Sequence, residues 1–246
     1  MDAEYFEHCR MAVLDRERLG DGGIGTLSEK TVHSVLKQYI SRSLSCQEIK
    51  VGTFFADVMI DGHIFEIQTR QFNKLRRKLD YFLKDHPVTV VYPLAARNYL
   101  RWVSPETGEI SASHKSPKIG NPLAVFAELY RIRPFLAEQN FSLKIVMMDT
   151  EEYRLLDGYS RDKKKGATKC DRLPLSLVAE YDIETPADYM MLLPAELPDT
   201  FTAKEFAKLA RIPLSLAQTA LLLLSELSVV IRIGKEGNSY LYELAV

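Results

Sequence analysis

Cysteine is scarce in this sequence: three in 246 residues, Cys9, Cys46 and Cys170. The set is odd, scattered and without metal-ligand spacing, which excludes a disulfide framework and a thiolate zinc site and predicts a reducing compartment, most simply the cytoplasm. The five histidines have no zinc spacing either, and His33 reads as an ordinary helix residue. Long apolar runs are missing. The most apolar stretch, residues 220–224, is far shorter than the roughly 20 apolar residues that span a bilayer, so no membrane partner is expected. Met1-Asp2-Ala3-Glu4 lacks the basic-then-apolar order of a signal peptide. Neither sign of charge dominates: the net charge is −1, so a nucleic-acid surface has to come from local clustering. No internal repeat is visible. What is there is an ordinary globular composition, 46% hydrophobic and 26% charged, at a length that suits one large or two modest domains.

Residues 1–20 read as helix, broken by Gly20-Asp21-Gly22-Gly23-Ile24-Gly25, since so many glycines cannot hold one. A second helix follows to about residue 43. Thr26-Leu27-Ser28-Glu29 has the capping-box pattern, and Val32, Val35, Leu36, Tyr39 and Ile40 recur at helical spacing. Strands are expected near residues 48–51, 53–60 and 63–69, the last two joined by Asp61-Gly62, a strong hairpin signal. Residues 72–85 form a basic amphipathic pattern striped by Leu75, Leu79, Phe82 and Leu83, and residues 87–92 a short buried strand. A hairpin (99–103 and 109–113), a helix (122–138) and a strand (143–149) follow. Residues 153–172 read as irregular and basic, and the prolines from about 185 as a linker.

The hairpin register brings chemistry into view. With a two-residue turn at Asp61-Gly62, Ile60 faces His63, Met59 faces Ile64, Val58 faces Phe65, and Asp57 faces Glu66; a four-residue loop keeps that pairing and a three-residue loop does not. Opposed residues have Cβ atoms roughly 4.5–5.5 Å apart, and like charges there are destabilising. Two carboxylates on one face therefore call for a cation with a preference for oxygen ligands. Gln68 projects from the same face as Glu66. Glu29, at helical spacing before Val32 and Leu36, has two readings: a third carboxylate of the site, or only the capping partner of Thr26.

With Glu29, Asp57 and Glu66-Ile67-Gln68 in this order of elements, residues 26–92 resemble the restriction-endonuclease-like, or PD-(D/E)XK, nuclease superfamily. The resemblance implies an αβββαβ core and a metal-dependent deoxyribonuclease holding Mg²⁺ or Mn²⁺. It implies Asp57 and Glu66 as metal ligands, Glu29 as a ligand directly or through water, and Gln68 as the residue that orients the nucleophile. Gln68 stands where the superfamily's motif has lysine and can neither carry a positive charge nor take a proton. Lys74 or Lys78 from the next helix is the candidate replacement. The other reading is a weak or inactive nuclease fold that binds DNA or a partner protein as a regulatory module. Members are often dimers, which makes a homodimer a candidate assembly.

Two basic segments are candidate nucleic-acid contacts. One is the helix with Arg70, Lys74, Arg76, Arg77 and Lys78. The other is residues 154–172, where seven basic residues (Arg154, Arg161, Lys163, Lys164, Lys165, Lys169, Arg172) stand against three acidic ones. A solvated surface is the other reading of each. His114-Lys115-Ser116-Pro117-Lys118 is a further basic segment. Residues 201–246 resemble a winged helix. Thr202 caps a helix, the turn runs from Arg211 to Leu214, the second helix starts at Ser215, and a wing hairpin closes around Gly234–Asn238. That second helix has no basic residue between 214 and 227, so a protein-binding or dimerising role stands beside DNA binding, with Arg232 and Lys235 as wing contacts. The expected architecture is thus α/β, a restriction-endonuclease-like mixed sheet flanked by helices over residues 1–184 and a winged helix over 185–246.

Overall fold

The computed structural model describes residues 2–19, 30–158 and 166–245. Its elements in chain order are α1 (Ala3–Leu19), α2 (Lys30–Ile40), β1 (Gln47–Val51), β2 (Phe54–Ile60), β3 (His63–Ile67), α3 (Arg76–Phe82), β4 (Val88–Val103), β5 (His114–Ile119) and α4 (Phe126–Leu129). Then come β6 (Phe141–Leu155), β7 (Thr168–Ile183), β8 (Thr200–Thr202), α5 (Ala203–Leu209), α6 (Leu214–Glu226), β9 (Val230–Glu236) and β10 (Ser239–Leu244). The chain is α/β, with a mixed sheet flanked by helices. The large sheet has the order β1-β2-β3-β4-β6-β7, with β5 on β4, and a second sheet has the order β8-β10-β9. β2 and β3 are antiparallel, whereas β3 and β4 are parallel.

The chain packs as two units. The first comprises Met1–Ile49, Pro93–Gly120 and Val146–Glu180; the second comprises Lys50–Tyr92, Asn121–Ile145 and Tyr181–Val246. In the first, α1 and α2 bury Phe6, Cys9, Val35 and Leu36, and the Tyr39 ring stacks on Tyr5 and meets Phe6 edge-on. In the second, Ile64, Val88 and Val90 on the sheet and Phe72, Leu79, Phe82, Phe126 and Leu129 on the helical segments are all fully buried.

The Asp61-Gly62 turn forms as its residues demand. Both have positive φ, 48° and 85°, the requirement of the tightest hairpin turn. The register is Ile60↔His63, Met59↔Ile64 and Val58↔Phe65, as the pattern predicts. Thr202 caps α5, its hydroxyl accepting from the Glu205 N–H while the Glu205 carboxylate accepts from the Thr202 N–H.

Elsewhere the structure departs from the pattern. The segment expected as a helix over 72–85 opens with a 3₁₀ turn, Phe72–Leu75, before α3. The segment over 122–138 is short 3₁₀ and α turns in series, ending in Tyr130–Phe135 around Pro134, because proline lacks the N–H a continuous helix needs. The partner of β4 is His114–Ile119, with Arg97↔Ile119 and Leu100↔His114, and the expected strand at 109–113 reduces to one bridge, Val103↔Ile110. Residues 153–172 are not irregular throughout: β6 runs on to Leu155 and β7 begins at Thr168. The expected linker contains a 3₁₀ helix, Pro186–Leu192, closed by a Thr185–Asp188 capping box and burying Tyr189 and Leu192. The expected capping box at Thr26–Glu29 lies outside the described residues. Among the described residues no single helix is long and apolar enough to cross a membrane.

Candidate functional site

Glu66 sits near the end of β3, in the second unit, and is 2% exposed. It is inward because Ile64 and Glu66 share one face of the strand, and both are buried. From α3, Lys78 donates to both carboxylate oxygens, at 2.7 and 3.0 Å. Asp57, half-buried on β2, was expected directly opposite. The ladder instead ends at Val58, and the Asp57 carboxylate reaches past it to accept the Ile67 N–H at 2.8 Å. A side-chain acceptor thus takes the main-chain donor that a further rung of the ladder would have engaged.

Electrostatically the pair behaves as a strained carboxylate couple. Burial pushes Glu66 up from its ordinary 4.5 to about 7, and the Asp57 charge pushes the same way. The Lys78 ammonium and a main-chain hydrogen bond from Asp57 pull against them without prevailing. Among the described residues, Lys78 is the cation that meets Glu66, with Asp57 as the neighbouring carboxylate. Among the described residues no group of three or more His, Cys, Asp and Glu side chains is placed to hold a metal ion. Two carboxylates still fit Mg²⁺, which keeps several waters and is commonly bound through one or two carboxylates plus substrate phosphates.

The other expected site residues divide sharply. The Gln68 N–H joins the sheet at Val91 O, 2.9 Å away, and its side-chain amide donates to the Arg70 carbonyl, so that donor is turned to its own loop. Lys74 is exposed, in the 3₁₀ turn before α3. Lys78, expected either at the site or on a nucleic-acid surface, is at the site. Glu29, Arg161, Lys163, Lys164 and Lys165 lie outside the described residues. In the β9–β10 hairpin, the Arg232 guanidinium lies 3.7 Å from the Tyr240 ring centre and Lys235 lies 5.0 Å from it.

Two groupings escaped the sequence pattern. In the second unit His63 Nε2 and Thr89 Oγ1 share a 2.7 Å hydrogen bond, and Thr89 Oγ1 and Ser142 Oγ another of 2.7 Å; burial lowers the His63 pKa. In the first unit Lys169 is not alone. Its ammonium shares the carboxylate of Glu152, itself 2% exposed, with Arg154 and Arg172. The signal that could have found this cluster is Glu152-x-Arg154, two charges on one face of a strand, hidden because the sequence from residue 153 reads as irregular.

A protein of Treponema pallidum (strain Nichols) bearing the name "Uncharacterized protein" is 31% identical over 186 residues, 75% of this chain and 74% of its own length. No solved structure matches the chain. Residues 30–184 match one family model, whose span takes in Asp57, Glu66, Lys78 and the Glu152 cluster and stops where the C-terminal segment begins. The chain therefore belongs to the family described as "Domain of unknown function (DUF8091)".

Proposed function

We propose that this chain is a Mg²⁺- or Mn²⁺-dependent nuclease that hydrolyses phosphodiester bonds of DNA, built on a restriction-endonuclease-like core with a C-terminal winged helix. The observation that carries the reading is the meeting of Lys78 with Glu66 beside Asp57. These are the two carboxylates and the lysine that this chemistry uses, with the lysine supplied by α3 instead of position 68. The order of helix, three strands, helix and strand in residues 30–92 supports the same reading. So does the C-terminal module, in which a 112° bend between α5 and α6 and the sheet order β8-β10-β9 suit a helix-turn-helix with a wing.

Asp57 and Glu66 would hold the cation, with Glu29 as the third candidate. When bound, it would polarise a phosphate and lower the pKa of a coordinated water. Lys78 lowers the Glu66 pKa from what burial and Asp57 would otherwise impose, and so favours the ionised form that a ligand requires. Its ammonium is also a point charge beside the site, suited to an attacking water or a phosphate oxygen. The Ile67 N–H keeps the Asp57 side chain fixed at 2.8 Å. Burial of Glu66 limits the screening of its charge by water.

The regulatory reading has its own supporting observation. Lys78 already meets both oxygens of Glu66, an ion pair that is complete without a metal. Calorimetric titration with Mn²⁺ should give heat with wild type and none with Asp57→Ala. A panel of single-stranded, double-stranded, branched and RNA substrates with Mg²⁺ should include DNA cut by wild type and spared by Glu66→Ala. Absence of Mn²⁺ heat in wild type would sink the metal site. Metal and DNA binding with no cleavage above the Glu66→Ala level would leave the regulatory reading standing.

A further inference from the structure

Glu152 lies on β6 in the first unit, and three cations close on its buried carboxylate. Arg154 Nε approaches to 2.6 Å, Arg172 Nη2 to 3.1 Å and Lys169 Nζ to 3.4 Å. One carboxylate needs one counter-charge, so the cluster carries a surplus of two positive charges. Their effect is large enough to reverse that of burial, since Glu152 titrates below its ordinary range.

The surplus is held in a form that suits recognition. Each guanidinium has five N–H donors, and Glu152 occupies one from Arg154 and one from Arg172. The Nε of Arg172 is buried with no hydrogen-bond partner, so the donor set is not satisfied within the protein. The outer parts of the cluster remain open, with the Lys169 side chain 62% exposed. A buried glutamate thus fixes two long, flexible cations whose remaining donors suit paired anionic oxygens. The three cations come from the end of β6 and the start of β7, flanking a stretch that adds Arg161, Lys163, Lys164 and Lys165 by composition. Two guanidinium groups with spare donors and an exposed ammonium offer more than one position for an anionic oxygen, which matches a ligand with repeated anions better than a single ion.

We propose that Glu152 is the buried anchor of a backbone grip in which Arg154, Lys169 and Arg172 hold the phosphates of a nucleic-acid strand. The grip takes DNA as its ligand from the nuclease reading, but it does not require Asp57 and Glu66 to cut. Fluorescence polarisation of labelled duplex and single-stranded DNA on the full chain, in EDTA and across a salt series, tests it. Lys169→Gln is the informative variant because the side chain is largely exposed. It should weaken duplex binding about 8-fold at about 0.1 M salt and reduce the slope of log K against log salt by about 0.9, the share of one released counterion. Lys169→Arg should restore both, and Arg154→Gln should repeat the loss with an unchanged circular-dichroism spectrum.

Wild type that binds no DNA, or unchanged affinity and slope in both Gln variants, would overturn the grip. So would poly-glutamate competing as well as DNA per charge, which would mark an acidic-protein surface. Binding with these dependences but no cleavage in Mg²⁺ keeps the grip and removes the nuclease. Cleavage with binding insensitive to both variants does the reverse.

Discussion

Glu66 and Glu152 are both strand residues with 2% of their surface exposed, yet their carboxyl groups titrate in opposite directions. Glu66, in the second unit, has one lysine and a neighbouring aspartate and is raised to about 7; Glu152, in the first, has three cations and is lowered. Burial alone would raise both, and the sign is set by the balance of charge around each. A buried carboxylate beside a second carboxylate suits a cation, and three cations on one carboxylate suit an anion. The chemistry proposed for each unit follows from that imbalance.

The largest expected effect tests the cation side. Glu152→Ala leaves three cations without their shared partner and should lower stability by about 3–5 kcal/mol, read from urea denaturation at pH 7. A loss no larger than that of Glu66→Ala would remove the distinction between the two glutamates.

The pH dependences should run in opposite directions. The raised pKa of Glu66 gives a contribution fully present below pH 4.5 and lost as pH rises through about 7, worth about 3 kcal/mol over that range. The lowered pKa of Glu152 gives a contribution present above 4.5 and lost as pH falls through its folded value. In EDTA, the stability of wild type relative to Glu66→Gln should therefore fall between pH 4.5 and 7, while that relative to Glu152→Gln should rise as pH leaves the acid range. Two flat difference curves would mean that neither group senses its neighbours as described.

Lys78→Met sharpens the carboxylate side. Removing the ammonium frees the Glu66 oxygens but lets the Glu66 pKa rise further, so Mn²⁺ binding should be kept at alkaline pH, where the carboxylate is ionised. Cleavage should nevertheless fall by about 100-fold or more, the scale of a positioned proton-transfer or charge-stabilising group. Parallel loss of metal binding and cleavage would mean that Lys78 only holds the fold. The smallest effect belongs to Lys169→Gln, which should change stability by less than about 1 kcal/mol because exposed ion pairs contribute little. A larger loss would make the lysine a structural member of the cluster.

Much of the carboxylate site was legible in advance because it depends on neighbours along the chain. Asp61-Gly62 specified the turn, the turn specified the register, and the register brought Asp57 and Glu66 to adjacent strands. What it could not show was the end of the ladder, where Asp57 turns to the Ile67 N–H. Lys78 was one of two candidates on its segment. Only the break into a 3₁₀ turn followed by α3 puts Lys78 on Glu66 and leaves Lys74 exposed. The Glu152 cluster was legible only as the Glu152-x-Arg154 spacing, because the segment from residue 153 reads as irregular and basic and nothing along the chain pairs Glu152 with Lys169 and Arg172.

By itself, then, the sequence determined the α/β class, the tight β2–β3 turn with its register, the Thr202 cap, and which carboxylates lie on adjacent strands. These are local choices of backbone conformation and period, decided within a few residues. Only the tertiary structure decided which lysine serves Glu66, where the long strands end, and that three cations share one buried glutamate. Arg154 apart, which is two residues from Glu152, these pairings join charges 12 to 20 residues apart in the chain, whose energies exist only once folding has removed the water between them.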